Sequence, residues 1–541
     1  MQRMLLSGDE AVAAAAFDAG VALGTGYPGT PSTEILEAFS RLGGRAQWSP
    51  NEKVAMEVGL GAAFAGAAVL VTMKHVGLNV AADPLFTAAY TGVSGALVVI
   101  SADDPGMASS QNEQDNRHYA VAAAVPMLEP SDSQEAYDFL VAAYDISRRW
   151  KIPVIFRMTT RVCHSKSLVA RRQFPKPPAA DFVRDIKGRV MIPAYARPAH
   201  RRLRQKLAEI GQWNETSSLN VRTAGDKSLG IITSGISYFH ACEAAPSASF
   251  LKLGMTYPLP LNAIRDFAAG VDRCLVVEEG DPWLVDAVLA AGITVEGKAE
   301  PFRFGELNVD RVRRIINRDT LPEPAPPRGK PPQLCVGCPY RTVFEVLRKL
   351  DCIVSGDIGC YTLGALPPFE AMDTCVCMGA SLGVGLGLRH VLPEAQSRRV
   401  VSIVGDSTFV HSGISGLVEM IYNPPATGHV LIILDNGTTA MTGQQEHPGT
   451  GRTLAHDPTG KVSLEMLAQA LGVRQTHVTD PTVDPAGFER LLRDCLAGNE
   501  LAVIIARKTC LLAAGKIREY ERRAAEQCAN SDCGDACIPR E

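Results

Sequence analysis

Short runs of aliphatic and β-branched residues alternate along most of this chain with stretches rich in Ala and Gly. That rhythm predicts parallel α/β units. Ala67–Met73, Gly95–Ser101 and Pro153–Met158 read as strands of a first segment, and Leu229–Thr233 and Cys274–Val277 as strands of a second. Val400–Val404, His429–Leu434 and Leu501–Ala506 read as the core of a third. These runs are apolar at nearly every position rather than every other one, which marks strands covered on both faces. The expected architecture is three α/β domains with mainly parallel sheets.

Polar and proline-rich stretches set the boundaries. Ser165–Lys227, rich in Lys and Arg, reads as a linker with one helix, Arg201–Ile210. Leu321–Pro332 carries six prolines in twelve residues, a stiff connector with few backbone donors. The expected division is 1–170, a linker 171–227, 228–320, a linker 321–332, 333–515, and a charged, cysteine-containing tail 516–541.

A chain of 541 residues is too long for one core. A net charge of −4 gives no reason to expect nucleic acid or an anionic membrane as a partner. No uncharged apolar run reaches the roughly 18 residues of a membrane span. The opening Met1–Glu10 turns acidic too early for a secretory signal, so a cytoplasmic location is expected. Fourteen cysteines without an export signal argue against disulfides. They are buried hydrophobes, catalytic thiols or metal ligands, and spacing has to decide between these.

Two strand ends carry candidate chemistry. Val400–Val404 runs into Gly405-Asp406-Ser407, and His429–Leu434 runs into Asp435-Asn436-Gly437. Asp406 and Asn436 thus follow strand carboxyl ends, where open α/β sheets bind ligands. A carboxylate and an amide oxygen suit a hard cation such as Mg²⁺, which completes its shell with phosphate oxygens and water. The plainer reading is two ordinary strand-to-helix turns.

The cysteines supply a second pattern. Cys335-Val336-Gly337-Cys338, then Cys360, then Cys510 place four candidate ligands in the third segment. Four thiolates suit zinc or a [4Fe–4S] cluster, and spacing does not separate the two. Cys375 and Cys377 read as packing residues, and Cys163, Cys242, Cys274, Cys352 and Cys495 as core. Cys528, Cys533 and Cys537 in the tail are one short of a four-ligand site. They are either a remnant or a candidate second cluster completed from elsewhere.

Gly405-Asp406 with Asn436 resembles the diphosphate–Mg²⁺ signature of thiamine-diphosphate enzymes, and Asp435–Gly443 resembles the alpha subunit of indolepyruvate:ferredoxin oxidoreductases. The resemblance runs to about residue 515. It implies a pyrimidine-binding domain at 1–170, a transketolase-C-like domain at 228–320, and a diphosphate-binding and iron–sulfur domain at 333–515. It implies thiamine diphosphate near Gly29, Glu52, Gly405, Asp406, Ser407, Asn436, Thr438 and Met441, with Mg²⁺ on Asp406, Asn436 and the Thr438 carbonyl. It implies a [4Fe–4S] cluster on Cys335, Cys338, Cys360 and Cys510. Ser407 departs from the last glycine of the signature, and Tyr340 from the histidine usual after Cys-Pro.

Thiamine catalysis needs a carboxylic acid beside the aminopyrimidine ring. Glu52 and Glu57 are the candidates. Glu52 opens a run of small residues nine positions before Gly61, the spacing of the family's activating glutamate. Its plainer reading is a helix cap. Thr30 reads as the N-cap of a helix whose first residue is Pro31, and the resemblance puts its hydroxyl near the substrate. His75 is a catalytic candidate or a structural histidine. The polar stretch Asp103–Arg117 is a substrate loop using Asn112, Gln114 and Arg117, or a solvated lid.

The implied reaction is oxidative decarboxylation of an aryl 2-oxoacid to an acyl-CoA, with coenzyme A as co-substrate. The implied partners are a smaller beta subunit and ferredoxin or another electron acceptor, in a hetero-oligomer with at least two copies of this chain. The family's C-terminal ferredoxin-like domain, with eight cysteines, is matched here only by the short tail, so the electron exit is not carried over. A non-oxidative decarboxylase and a non-catalytic electron-transfer or scaffold subunit are the rival readings.

Overall fold

The structure is a computed structural model that describes residues 2–175, 180–323, 329 and 331–530. The chain divides within the proline-rich segment into two compact units, Met1–Ala325 and Pro326–Glu541. Among the described residues no helix is long and apolar enough to cross a membrane.

The first unit carries a seven-stranded sheet. Its order is Met255–Tyr257, Met127–Leu128, Val154–Thr159, Ala96–Asp103, Ala68–Lys74, Leu23–Gly26 and Ala46–Trp48. All neighbours are parallel except the first pair. Ala68–Lys74 and Ala96–Asp103 are buried at every residue, as continuous apolar runs require. Helices Glu52–Phe64 and Ser133–Trp150 pack against them.

The domain plan read from the sequence needs correction here. The second segment has its own sheet, ordered Cys274–Val277, Asp226–Ser234, Ala248–Leu253 and Val221–Thr223. Yet it lends Met255–Tyr257 to the seven-stranded sheet. The stretch expected to be a linker is structured as well. Lys166–Arg171 pairs antiparallel with Gln2–Ser7, and the one helix expected at Arg201–Ile210 is present but longer, Pro193–Asn214. Ala199, Leu203, Leu207, Ile210 and Asn214 are its buried stripe, at the spacing of a helix lying on a surface. Asn214 Nδ2 then donates to the carbonyls of Met255 at 3.2 Å and Pro258 at 2.8 Å. Residues 1–170 and 171–320 therefore fold as one unit.

A buried ionic network holds that unit together. Arg117, 1% exposed, donates to Asp115, to Glu278 at 2.6 Å and to the Glu279 carbonyl at 2.7 Å. Arg157 donates to Asp103 at 2.7 Å and Glu129 at 2.8 Å. Burial disfavours the Arg117 charge, but Asp115 and Glu278 outweigh it and hold the guanidinium ionised.

The second unit is built on six parallel strands, ordered Thr374–Cys375, Ile353–Gly356, Val400–Gly405, His429–Asp435, Leu501–Arg507 and Gln475–Thr479. Alternate residues feed two cores. Ile403, Ile432 and Ile504 join Phe344 on one face, while Val404, Ile433 and Ile505 join Phe409 on the other. That double coverage is why the three central strands read as unbroken apolar runs. A helix, Ala514–Asn530, covers the start of the expected tail. Cys528 lies in its last turn, with its side chain outside the described residues, as are Cys533 and Cys537 entirely.

Candidate active site

In the second unit, Val400–Gly405 and His429–Asp435 are adjacent parallel strands, with Gly405 beside Leu434. Register alone therefore brings Asp406 next to Asn436. The Asp406 carboxylate accepts from the backbone N–H groups of Ser407 at 2.8 Å, Asn436 at 3.2 Å and Gly437 at 2.8 Å. His447 Nε2 lies 3.3 Å from the same carboxylate. Burial pushes the Asp406 carboxyl up, but His447 and the N–H donors outweigh it and hold the group below the usual carboxylate range. Asn436 Oδ1 accepts from Thr438 N at 3.0 Å, which folds that turn over Asp406. The result is a buried cluster of oxygen-bearing groups, a donor set that could hold Mg²⁺.

Ser407 belongs to a helical turn, Asp406–Thr408, so the position requires no glycine. Its hydroxyl accepts from Thr439 Oγ1 at 2.8 Å and ties the two strand-end turns together. Met441, in the short helical turn Ala440–Thr442, is exposed.

The four cysteines converge on this edge. Cys335 to Cys338 close a turn, with Cys338 N donating to Cys335 O at 3.0 Å and Gly337 at φ +78°. A side chain at Gly337 would stand 3.1 Å from Leu511 Cδ1, so the turn rests against the residue after Cys510. Cys510 N in turn donates to the Asn436 carbonyl at 3.0 Å. Burial pushes the Cys360 thiol up to about 11, and Cys510, Cys338 and Cys335 all add to that shift.

Two features of this edge went unread in the sequence. Asp357 follows the strand Ile353–Gly356 in a Gly-Asp pair like Gly405-Asp406. Its carboxylate accepts from Ile358, Gly379 and Ser381 N–H groups, capping the start of helix Ala380–Val391. His447 stands in a Gln-Glu-His-Pro stretch with no motif to flag it. Tyr340 is buried edge-to-face on Tyr361, centroids 6.0 Å apart. Burial, then Asp406, pushes its hydroxyl well above the ordinary range, so it stands there as a neutral phenol. Cys375 and Cys377, expected to be packing residues, are exposed, because they sit on the short edge strand and in the turn after it.

In the first unit, Glu52 is the first residue of helix Glu52–Phe64 and is buried. The capping role belongs to Asn51, whose side chain accepts from Val54 N at 2.9 Å. Glu52 instead lies against Gly77: a Cβ there would sit 2.5 Å from Glu52 Oε1. Glu57 is exposed and pairs with Lys53. Thr30 is not the helix cap. The Gly29 carbonyl accepts from both the N–H and the hydroxyl of Ser32, so Thr30 lies inside a turn and the helix starts at Thr33. Gly29 itself presses on Lys74, where a Cβ would come within 2.9 Å of Lys74 Cβ.

His75 is fully buried at the end of Ala68–Lys74, its Nε2 3.2 Å from the Asn112 carbonyl. Gln114 and Asn116 both donate to the His75 carbonyl, at 3.2 and 3.0 Å. Asn112 is exposed, while Gln114 also pairs with Asn79. Arg117 is corrected outright: its guanidinium is spent on the buried network with Asp115 and Glu278 and is not presented to a substrate.

Two family descriptions match the chain. Residues 14–184 match "Pyruvate flavodoxin/ferredoxin oxidoreductase, thiamine diP-bdg", and residues 357–506 match "Thiamine pyrophosphate enzyme, C-terminal TPP binding domain". The chain is 38% identical to the indolepyruvate oxidoreductase subunit IorA of Archaeoglobus fulgidus, covering 98% of this chain and 90% of that one. It is 39% identical to the subunit of the same name from Methanothermobacter thermautotrophicus, covering 95% and 88%. The chain belongs to the indolepyruvate oxidoreductase subunit IorA family. It is thus an enzyme subunit of the thiamine-dependent 2-oxoacid oxidoreductase class. The fold agrees with a solved 2-oxoglutarate:ferredoxin oxidoreductase from Magnetococcus marinus, at TM-score 0.51 and 16% identity over 59% of this chain and 65% of that one.

Proposed function

We propose that this IorA-family subunit oxidatively decarboxylates an aryl 2-oxoacid of the indolepyruvate type, giving an acyl-CoA. The substrate loses CO₂, its acyl carbon gives up two electrons, and the thiol of coenzyme A captures the acyl group with loss of a proton. Thiamine diphosphate, when bound, supplies the carbanion-stabilising centre, and a [4Fe–4S] cluster supplies one-electron acceptance. Asp406, Asn436 and the Thr438 carbonyl would hold Mg²⁺ and the diphosphate. Glu52 would hold or move the proton on the aminopyrimidine side. Cys335, Cys338, Cys360 and Cys510 would hold the cluster, and electrons leave to ferredoxin or another acceptor. A smaller beta subunit, at least two copies of this chain and a cytoplasmic location complete the reading.

The observation that carries it is the hydrogen bond from Cys510 to Asn436, which supports cluster and cofactor residues sharing one sheet edge. The test is an anaerobic assay of the chain co-expressed with its beta subunit, with methyl viologen as acceptor. Viologen reduction should need coenzyme A and run faster with indolepyruvate than with pyruvate or 2-oxoglutarate. Release of CO₂ and free aldehyde without viologen reduction would overturn this reading in favour of a non-oxidative decarboxylase.

A further inference from the structure

A second cluster of ligand-type side chains lies in the first unit, and no step above uses it. Asp9, Glu34 and His164 each bring one ligand atom within 4.8 Å of the others. They come from three elements. Asp9 is in the first turn of helix Gly8–Asp18, Glu34 in the first turn of Thr33–Arg41, and His164 ends the short helix Thr160–His164. The convergence is built into the backbone. A side chain at Gly8 would meet the Val162 carbonyl at 2.1 Å, so this helix start is pressed against the turn that carries His164.

Asp9 is the informative member. It is 1% exposed and faces the buried Cys163 thiol, and its carboxylate oxygens have no oxygen or nitrogen donor among the described residues. It is not needed as a cap, because Ser7 and Glu10 already form the reciprocal capping pair of that helix. A buried carboxylate with only a weak thiol donor is costly unless it is protonated or binds a cation. Glu34 and His164 are exposed, so an ion could enter from solvent and meet Asp9 at the back.

We propose that Asp9, Glu34 and His164 bind a divalent transition-metal ion, with Zn²⁺ the fitting member. Carboxylate oxygen and imidazole nitrogen are both Zn²⁺ ligand types, and three protein ligands leave a fourth position open to solvent. The imidazole separates the site from the all-oxygen shells that Mg²⁺ prefers. Zinc–ligand distances of about 2.1 Å require ligand atoms about 3.4 Å apart, a contraction the exposed Glu34 and His164 side chains can make. The ion would neutralise the buried carboxylate and pin the turn Gly29–Ser32, which ends two residues before Glu34.

The test titrates Zn²⁺ calorimetrically into the anaerobically purified, cluster-loaded full chain, alone and with millimolar Mg²⁺. The variants Glu34→Gln and His164→Asn change exposed residues. Wild type should bind one Zn²⁺ that Mg²⁺ does not displace, with a rise in Tm. Each variant should lose that ion or bind it at least about tenfold more weakly. Equal Zn²⁺ binding by wild type and both variants, or no binding by wild type, overturns the proposal. Asp9→Asn adds a further check: a folded Asp9→Asn protein that keeps full Zn²⁺ affinity also overturns it.

Discussion

The backbone N–H of Cys510 donates to the carbonyl oxygen of Asn436 across 3.0 Å. A proposed cluster ligand and a proposed Mg²⁺ ligand therefore share one backbone hydrogen bond, and their losses can be separated by the choice of substitution. Cys510→Ala removes the thiol and keeps the N–H. It should cost the protein its iron while leaving thiamine diphosphate bound. Cys510→Pro removes the N–H as well and should weaken thiamine retention too. Iron and thiamine analysis of anaerobic protein checks both, and full iron in Cys510→Ala would remove Cys510 from the ligand set.

Asp406→Ala should abolish retention of thiamine diphosphate, because it deletes the anion that three N–H groups and His447 organise. Ser407→Gly should retain the cofactor, since the position is helical and needs no special conformation. Stoichiometric thiamine in purified Asp406→Ala protein would show the site to be misassigned.

Glu52→Gln should leave thiamine bound and cut turnover by at least about 10²-fold, a usual size for a lost acid–base group. Gly77→Ala should do much the same, because its methyl would fall 2.5 Å from Glu52 Oε1 and displace the carboxylate. A dead Glu57→Gln beside an active Glu52→Gln would transfer the role.

The sequence made legible whatever rested on continuous apolar runs followed by a polar strand end. Cys274–Val277 was read with its true bounds, and Val400–Val404 and His429–Leu434 each ended one residue short of the strand. Asp406 and Asn436 were placed at neighbouring strand ends in the same way, whereas the four cysteines stood out by spacing and by resemblance. What failed depended on partners far away in sequence. Met255–Tyr257 is three residues long, and only Met127–Leu128 makes it a strand. Arg117 looked like a loop arginine because Glu278, 161 residues later, was invisible to local pattern. Thr30 obeyed the capping rule on paper, but the double hydrogen bond to the Gly29 carbonyl moved the helix start to Thr33.

Arg117→Met should lower stability by about 3–5 kcal/mol, because it strands Asp115 and Glu278 as buried charges. Adding Glu278→Gln should restore part of the loss. Denaturant unfolding of the wild type and both variants measures it, and a double variant no better than the single would mean that Glu278 is not the stranded partner.

Lys298 predicts a pH signature. Burial pushes its ammonium down to about 8 from 10.5, although Nζ donates to the Glu278 and Gly280 carbonyls. Between those values the unfolded chain binds more protons than the folded one, so this group's contribution to stability grows as pH rises from about 8 and is lost again as it falls. The Tm of Lys298→Met minus that of wild type should therefore become less favourable to the variant from pH 8 to 10. A difference that is flat across that window would mean that Lys298 titrates normally in the folded protein.

The strand Met255–Tyr257 has a consequence for synthesis on the ribosome. The first sheet cannot gain its last strand, nor Arg117 its Glu278 partner, until about 100 residues beyond the nominal end of the first domain have been made. Until then the nascent chain exposes the two-residue strand Met127–Leu128 as an open edge, a template for pairing with other chains. A fragment ending at residue 170 should therefore aggregate when expressed alone, whereas one ending just past the helix Val309–Ile316 should be soluble. Evolutionary exchange of this first domain between proteins would have to carry both segments together.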